Sequence, residues 1–319
     1  MPSSAPHDAA MDNAPLTRPE GSDAKDFHLS RRGIAGLFFA GYALGAGPAA
    51  AQAPITTPTS GLIAKDMTVP TGSDYRIPAY IAVPANAKRL PVVIVVPEIF
   101  GLHDYLRDVC RRLAYEGYVA ITFDPFARAG NAAAIKDTAE LRKLVETATN
   151  EQVMGDLKSI ISWLKTNPDI GQERSTFGKT RFANTSRIGI TGFCWGGAVV
   201  WMAASSIPDI RTGVAWYGRI ERPKPEDFLG KEVREWPIDR AGDLRRPVLG
   251  LYAELDGGIT LDSVTRMNAA LKASGKTPSH IKVFKEAKHG FHADYRALYN
   301  EKAAREGWTD LLGWFKQYL

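Results

Sequence analysis

The residue in this chain best suited to act as a nucleophile is a cysteine inside a glycine-rich turn. It stands in Gly189-Ile190-Thr191-Gly192-Phe193-Cys194-Trp195-Gly196-Gly197, and an alanine-rich stretch follows. Read as strand, tight turn and helix, this is the G-x-S-x-G nucleophile elbow with cysteine in place of serine. Such a turn strains the nucleophile's backbone and needs small neighbours, which Gly192, Gly196 and Gly197 supply. It also sets the sulfur at a helix N-terminus, where free N–H groups and the dipole favour thiolate. A buried cysteine beside a close-packed turn would read the same way, so the chemistry depends on partners. Downstream come Ala253-Glu254-Leu255-Asp256-Gly257-Gly258 and Lys288-His289-Gly290-Phe291-His292. An imidazole can accept the thiol proton and later activate water, and a carboxylate can fix its tautomer. Nucleophile, then acid, then histidine is the chain order of α/β-hydrolases, which selects Cys194, Asp256 and His289. Glu254 is the alternative acid and His292 the alternative base.

The elements that must carry these residues are legible as alternating patterns. Apolar, β-branched runs recur at 92–96, 119–123, 187–191, 212–216, 248–252 and 281–284. Helical periodicity marks 105–115, 139–165, 198–205, 263–273 and 297–317. Strands apolar on both faces and separated by helices imply a parallel sheet covered on each side. Ahead of them, 66–69 and 76–83 flank Gly72-Ser73-Asp74, which predicts an antiparallel hairpin at the sheet edge. The expected architecture is a single α/β-hydrolase domain over 62–319, mostly parallel, with each chemical residue just past a strand end. Residues 218–246, rich in charge and proline, read as an excursion bordering the pocket. Cys110 shares helical spacing with Tyr105, Leu106, Val109 and Leu113, so it reads as a small buried hydrophobe.

Composition narrows the function class. With 319 residues, 45% hydrophobic and 24% charged, the chain is neither disordered, collagen-like nor disulfide-stapled. The net charge of +5 includes no clustered basic stripe, which argues against a nucleic-acid partner. No G-x-G-x-x-G follows a strand, and there is no Walker loop or zinc-spaced His/Cys set, so no cofactor or metal is expected. Residues 1–30 are polar and aperiodic. Arg31-Arg32, an uncharged run over 34–47 and Ala51-Gln52-Ala53 then follow, the pattern of a twin-arginine signal peptide. That run is shorter than the ~20 residues a spanning helix needs. The expectation is export to the periplasm by the twin-arginine machinery, removal of 1–53, and a linker over 54–61. An uncleaved inner-membrane anchor is the alternative.

Across roughly 62–319 the sequence resembles the dienelactone hydrolase (carboxymethylenebutenolidase) family. The likeness rests on Pro97-Glu98-Ile99-Phe100-Gly101, Phe123-Asp124-Pro125-Phe126-Ala127-Arg128, the cysteine elbow, Trp216-Tyr217-Gly218 and His289-Gly290-Phe291. The family's Gly-x-x-Asp is half kept, since Ala253 holds the glycine position before Asp256. The resemblance implies hydrolysis of a lactone or small ester through a Cys194 thioester, with His289 as base and Asp256 as its orienting acid. It makes Glu98 an extra carboxylate that restrains the thiol until an anionic substrate arrives, since like charges in one site raise each other's pKa. It also implies an oxyanion hole from the backbone N–H groups of Ile99 and Trp195, and substrate contacts from Arg128 and Tyr217. One position departs from the family: Ala293 stands where a second substrate-binding arginine is expected, and Arg296 lies three places further on. A general carboxylesterase of the same fold and a non-catalytic small-molecule binder are the competing functions.

Overall fold

The computed structural model describes residues 54–167 and 182–319. The signal-like segment 1–53 lies outside them. An antiparallel pair opens the fold, β1 (Leu62–Pro70) with β2 (Arg76–Pro84), in the register Leu62 opposite Pro84 through Pro70 opposite Arg76. Strands β3 (Leu90–Val96), β4 (Val119–Phe123), β5 (Ala183–Phe193), β6 (Ile210–Trp216), β7 (Val248–Ala253) and β8 (His280–Phe284) complete an eight-stranded sheet. Its order is β1-β2-β4-β3-β5-β6-β7-β8, parallel from β4 to β8 and antiparallel at β1-β2 and β2-β4. This is the α/β-hydrolase fold, with the hairpin at the edge.

Every residue of β4 and β7 is buried, as are the last five of β3. That unbroken burial is the mark of a sheet covered on both faces. Edge strand β1 is half exposed instead.

The helices are α1 (Asp104–Tyr115), α2 (Thr138–Glu146), α3 (Asn150–Thr166), α4 (Trp195–Ser206), α5 (Leu261–Ala273) and α6 (Glu301–Tyr318). The single helical stretch expected over 139–165 is two helices. Its apolar period runs through the break, but Thr149 takes the N-cap role and accepts a hydrogen bond from the Gln152 amide (3.2 Å), starting a new helix there. The last helix begins later than its periodicity suggests, because Asn300 accepts from the Ala303 amide (3.1 Å) and caps it.

Residues 54–61, expected as a linker, are strapped onto α1. The Thr57 amide and hydroxyl donate to Asp108 (2.5 and 3.2 Å), and Arg111 Nε donates to the Thr57 carbonyl (2.7 Å). The Tyr115 hydroxyl donates to the Ser60 carbonyl (2.6 Å). Cys110 is fully buried in α1, and burial pushes its thiol far up, so it packs as a hydrophobe.

Candidate active site

The ends of β3, β5, β6, β7 and β8 bring the candidate residues to one edge of the sheet. Cys194 occupies the single residue between β5 and α4, with φ 54° and ψ −115°. A non-glycine residue holds such a conformation only when its surroundings enforce it. Here the Cys194 amide donates to the Trp216 carbonyl (3.0 Å), while the Cys194 carbonyl accepts from Gly197 (2.9 Å). The small neighbours are a strict requirement. A Cβ on Gly192 would sit 2.4 Å from the Gly196 carbonyl oxygen, and one on Gly197 2.4 Å from that of Trp216.

His289 Nδ1 lies 2.7 Å from Asp256 Oδ2, and both side chains are buried. The other Asp256 oxygen accepts from the amides of Gly258 (2.9 Å) and Ile259 (3.0 Å), so the carboxylate is fixed before it orients the ring. His289 also hydrogen-bonds Cys194. Burial pushes the His289 pKa down. The charges of Asp256 and Cys194 and their hydrogen bonds outweigh it, and the imidazole is pushed up to about 10. Cys194, His289 and Asp256 therefore form one chain of contacts.

The alternatives are placed elsewhere. Glu254 accepts from the Glu286 amide (2.9 Å). His292 meets the Tyr105 hydroxyl (2.6 Å) and stacks among Phe193 and Trp308; burial and Arg112 hold it neutral as a core histidine.

Glu98, just beyond β3, is fully buried. The Tyr295 hydroxyl donates to its Oε2 (2.7 Å), and Oε1 has no hydrogen-bond partner among the described residues. Burial raises its pKa first of all, against the opposing pull of Arg296, Tyr295 and His289. Desolvation is thus the chief cause of the upward shift, and a neighbouring thiolate is not. His103 Nε2 lies 3.8 Å from Glu98 Oε2, yet burial and the charges of Arg296 and Arg107 hold His103 down at about 3, so this contact is not ionic near neutrality.

Tyr217, with φ 37°, sets its ring edge-on to His289 at 5.2 Å. The amides of Ile99 and Trp195 donate to no other backbone group in a turn, loop or cap among the described residues, as oxyanion donors require.

Arg128 is placed in an ion pair. Its two terminal nitrogens donate to Asp156 (2.7 and 2.6 Å), and its guanidinium lies 4.1 Å from the Tyr75 ring centroid. The fork expected to clamp a substrate carboxylate is filled by a protein carboxylate. Arg296, three places beyond Ala293, does reach the cluster: it is buried, 5.2 Å over the Phe100 ring, and is the foremost favourable charge on Glu98. Sequence reasoning missed Tyr295 and His103, for no motif marks either. The excursion 218–246 does border a cavity, where Phe228, Leu229 and Trp236 face Trp195, Val199 and Met202 of α4.

The profile of the Dienelactone hydrolase family matches residues 77–319. A candidate carboxymethylenebutenolidase of Methylorubrum extorquens is 41% identical over 292 residues, spanning 91% of this chain and 94% of that one. One from Escherichia coli K12 is 38% identical, spanning 87% and 95%. The crystal structure of a candidate dienelactone hydrolase from Klebsiella pneumoniae is 40% identical with a TM-score of 0.71, covering 81% of this chain and 99% of that one.

Proposed function

The chain belongs to the dienelactone hydrolase family and is a hydrolase acting on esters or lactones; from that premise we propose that it cleaves its substrate through a thioester on Cys194. The observation that carries this reading is the unbroken chain of contacts from Asp256 through His289 to a strained Cys194 at a helix N-terminus. His289 takes the thiol proton, and the thiolate adds to the substrate carbonyl. The developing oxyanion is received by the Ile99 and Trp195 amides. The tetrahedral adduct collapses and expels the alcohol, which takes the proton from His289; in a lactone that alcohol stays attached to the acyl chain. Water then gives a proton to His289 as it attacks the thioester, and the acid leaves with Cys194 restored. Glu98 restrains the thiol between turnovers, a role supported by its full burial and by an Oε1 without a hydrogen-bond partner among the described residues.

The ion pair that fills the Arg128 fork favours a second reading, in which uncharged esters are turned over by the same triad. Export is also part of the proposal: the Arg31-Arg32 pair, the apolar run and Ala51-Gln52-Ala53 support a twin-arginine route to the periplasm, with an uncleaved anchor as the alternative. No helix among the described residues is long and apolar enough to cross a membrane.

Turnover of p-nitrophenyl acetate tests the chemistry. Cys194→Ala should lower kcat by roughly a thousandfold or more, and Cys110→Ala should leave it near the parent value. Mass spectrometry after iodoacetamide inactivation should find the label on Cys194; label on Cys110, or no turnover by the parent protein, would refute the mechanism.

A further inference from the structure

Residues 290–300, the segment that follows His289, fold back on themselves. The Ala293 amide donates to the Gly290 carbonyl (2.9 Å), the Arg296 amide to that of Ala293 (3.0 Å), and the Asn300 amide to that of Phe291 (3.0 Å). Asp294 ties the segment to α1 through an ion pair with Arg112. A segment held at these points delivers the side chain next to Asp294 to a fixed place.

That side chain is Tyr295, which is buried. Its ring packs 5.3 Å from that of His103 at 76° and 5.2 Å from that of Tyr105 at 54°. Edge-on and tilted contacts of this kind define a ring's orientation. Here they aim the hydroxyl at Glu98, and it donates to Oε2 (2.7 Å). A carboxyl has two accepting oxygens, which a half-turn exchanges, and a donor fixed on one decides which stays open. With Oε2 occupied, Oε1 is the oxygen left, buried and without a hydrogen-bond partner among the described residues. His103 does not compete for Oε2, because its Nε2 stands 3.8 Å away, beyond hydrogen-bond distance.

We propose that Tyr295 is a positioning residue of the hydrolase: it holds Glu98 by Oε2 and so keeps Oε1 as the oxygen that meets the Cys194 thiol. This rests on the reading of Glu98 as the group that restrains that thiol. The segment begins at His289, so the base and the restraining carboxyl are placed by one piece of chain. Tyr295 also acts on the charge of Glu98. A hydrogen bond donated to a carboxylate favours the ionised form, against the burial that raises its pKa.

The test titrates Glu98 directly, by pH-dependent infrared difference spectra in which its carboxyl band is the one lost in Glu98→Gln. Tyr295→Phe keeps the ring and removes the donor. Glu98 should then hold its proton to a pH about 1 to 2 units higher, the worth of a hydrogen bond to a charged group. A 3-fluorotyrosine introduced at position 295, a more acidic phenol and a stronger donor, should move the titration downward. A role in packing alone would produce neither displacement. Alkylation of Cys194 by iodoacetamide, followed against pH, is the second readout. The step in its profile that Glu98→Gln removes should move up with the infrared titration in Tyr295→Phe. Glu98 titrating at its parent pH in both altered proteins would overturn the proposal, as would an alkylation step that stays in place. If Glu98→Gln leaves the alkylation profile unaltered, the reading of Glu98 as the thiol's restraint fails instead. An infrared titration that still moves then keeps Tyr295 as the group that positions Glu98, and one that does not move overturns that as well.

Discussion

Two residues illustrate how a local charge decides a side chain's work. His289 is buried, which alone would favour the neutral ring, yet Asp256 and Cys194 together push it up to about 10. Asp256→Asn removes the carboxylate charge, so the imidazole should titrate several units lower, by NMR of its ring. Alkylation of Cys194 by iodoacetamide at pH 7 should slow in parallel, as the imidazole becomes a weaker acceptor for the thiol proton. Because the folded pKa is raised, the native state binds the extra proton. Its contribution to stability is complete below about 6.5, the ordinary histidine value, and is lost as pH rises toward about 10. Melting temperatures across that window should decline in the parent and decline less in Asp256→Asn; equal slopes would mean that the pair contributes no proton linkage.

Arg128 presents the opposite case, a cation consumed by structure. Asp156 is nearly buried beneath it. Arg128→Ala should therefore destabilise the fold by about 3 kcal/mol, the cost of a buried charge left unpaired. Activity should fall equally on neutral and carboxylate-bearing esters. A loss selective for carboxylates would restore Arg128 to the substrate.

At the level of elements, the elbow works because β3, β5 and α4 approach without intervening side chains. A Cβ on Gly196 would stand 2.4 Å from the Val96 carbonyl oxygen and 2.5 Å from that of Pro97. Both are backbone atoms, so relief requires β3 and α4 to part. Gly196→Ala should cost about 1–3 kcal/mol in urea melts. Since the end of β3 leads directly to Glu98 and Ile99, the same shift should displace the oxyanion donor and lower kcat more than it raises KM. A variant with parent stability and kcat would show that the elbow tolerates the methyl group.

For the molecule as a whole, the domain is closed by its own N-terminal strap, which ties residues 57 and 60 to α1 immediately after the expected cleavage position. The proposed leader would thus be followed almost directly by residues that complete the fold, which suits the proposed route for folded proteins. Changing Arg31 and Arg32 together to lysine should retain the protein in the cytoplasm, by fractionation and immunoblot. Equal periplasmic recovery would refute the twin-arginine route, and recovery in the membrane pellet of the parent would favour an uncleaved anchor.

Alternation of apolar runs, the glycines of the elbow and the order Cys194, Asp256, His289 were all legible in the sequence, because each is a local demand. Strand burial, a positive φ and a residue just past a strand end depend on near neighbours in the chain. What the tertiary structure decided were the long-range partners. The Tyr295 hydroxyl reaches Glu98 across 197 positions, Asp156 fills the Arg128 fork from 28 positions away, and the supposed linker finds Asp108 across 51. The break between α2 and α3 was hidden for a related reason, since apolar periodicity continues through Thr149 while a cap redirects the backbone. A pattern along the chain specifies which face a residue buries; only the packed sheet specifies which distant group it meets there.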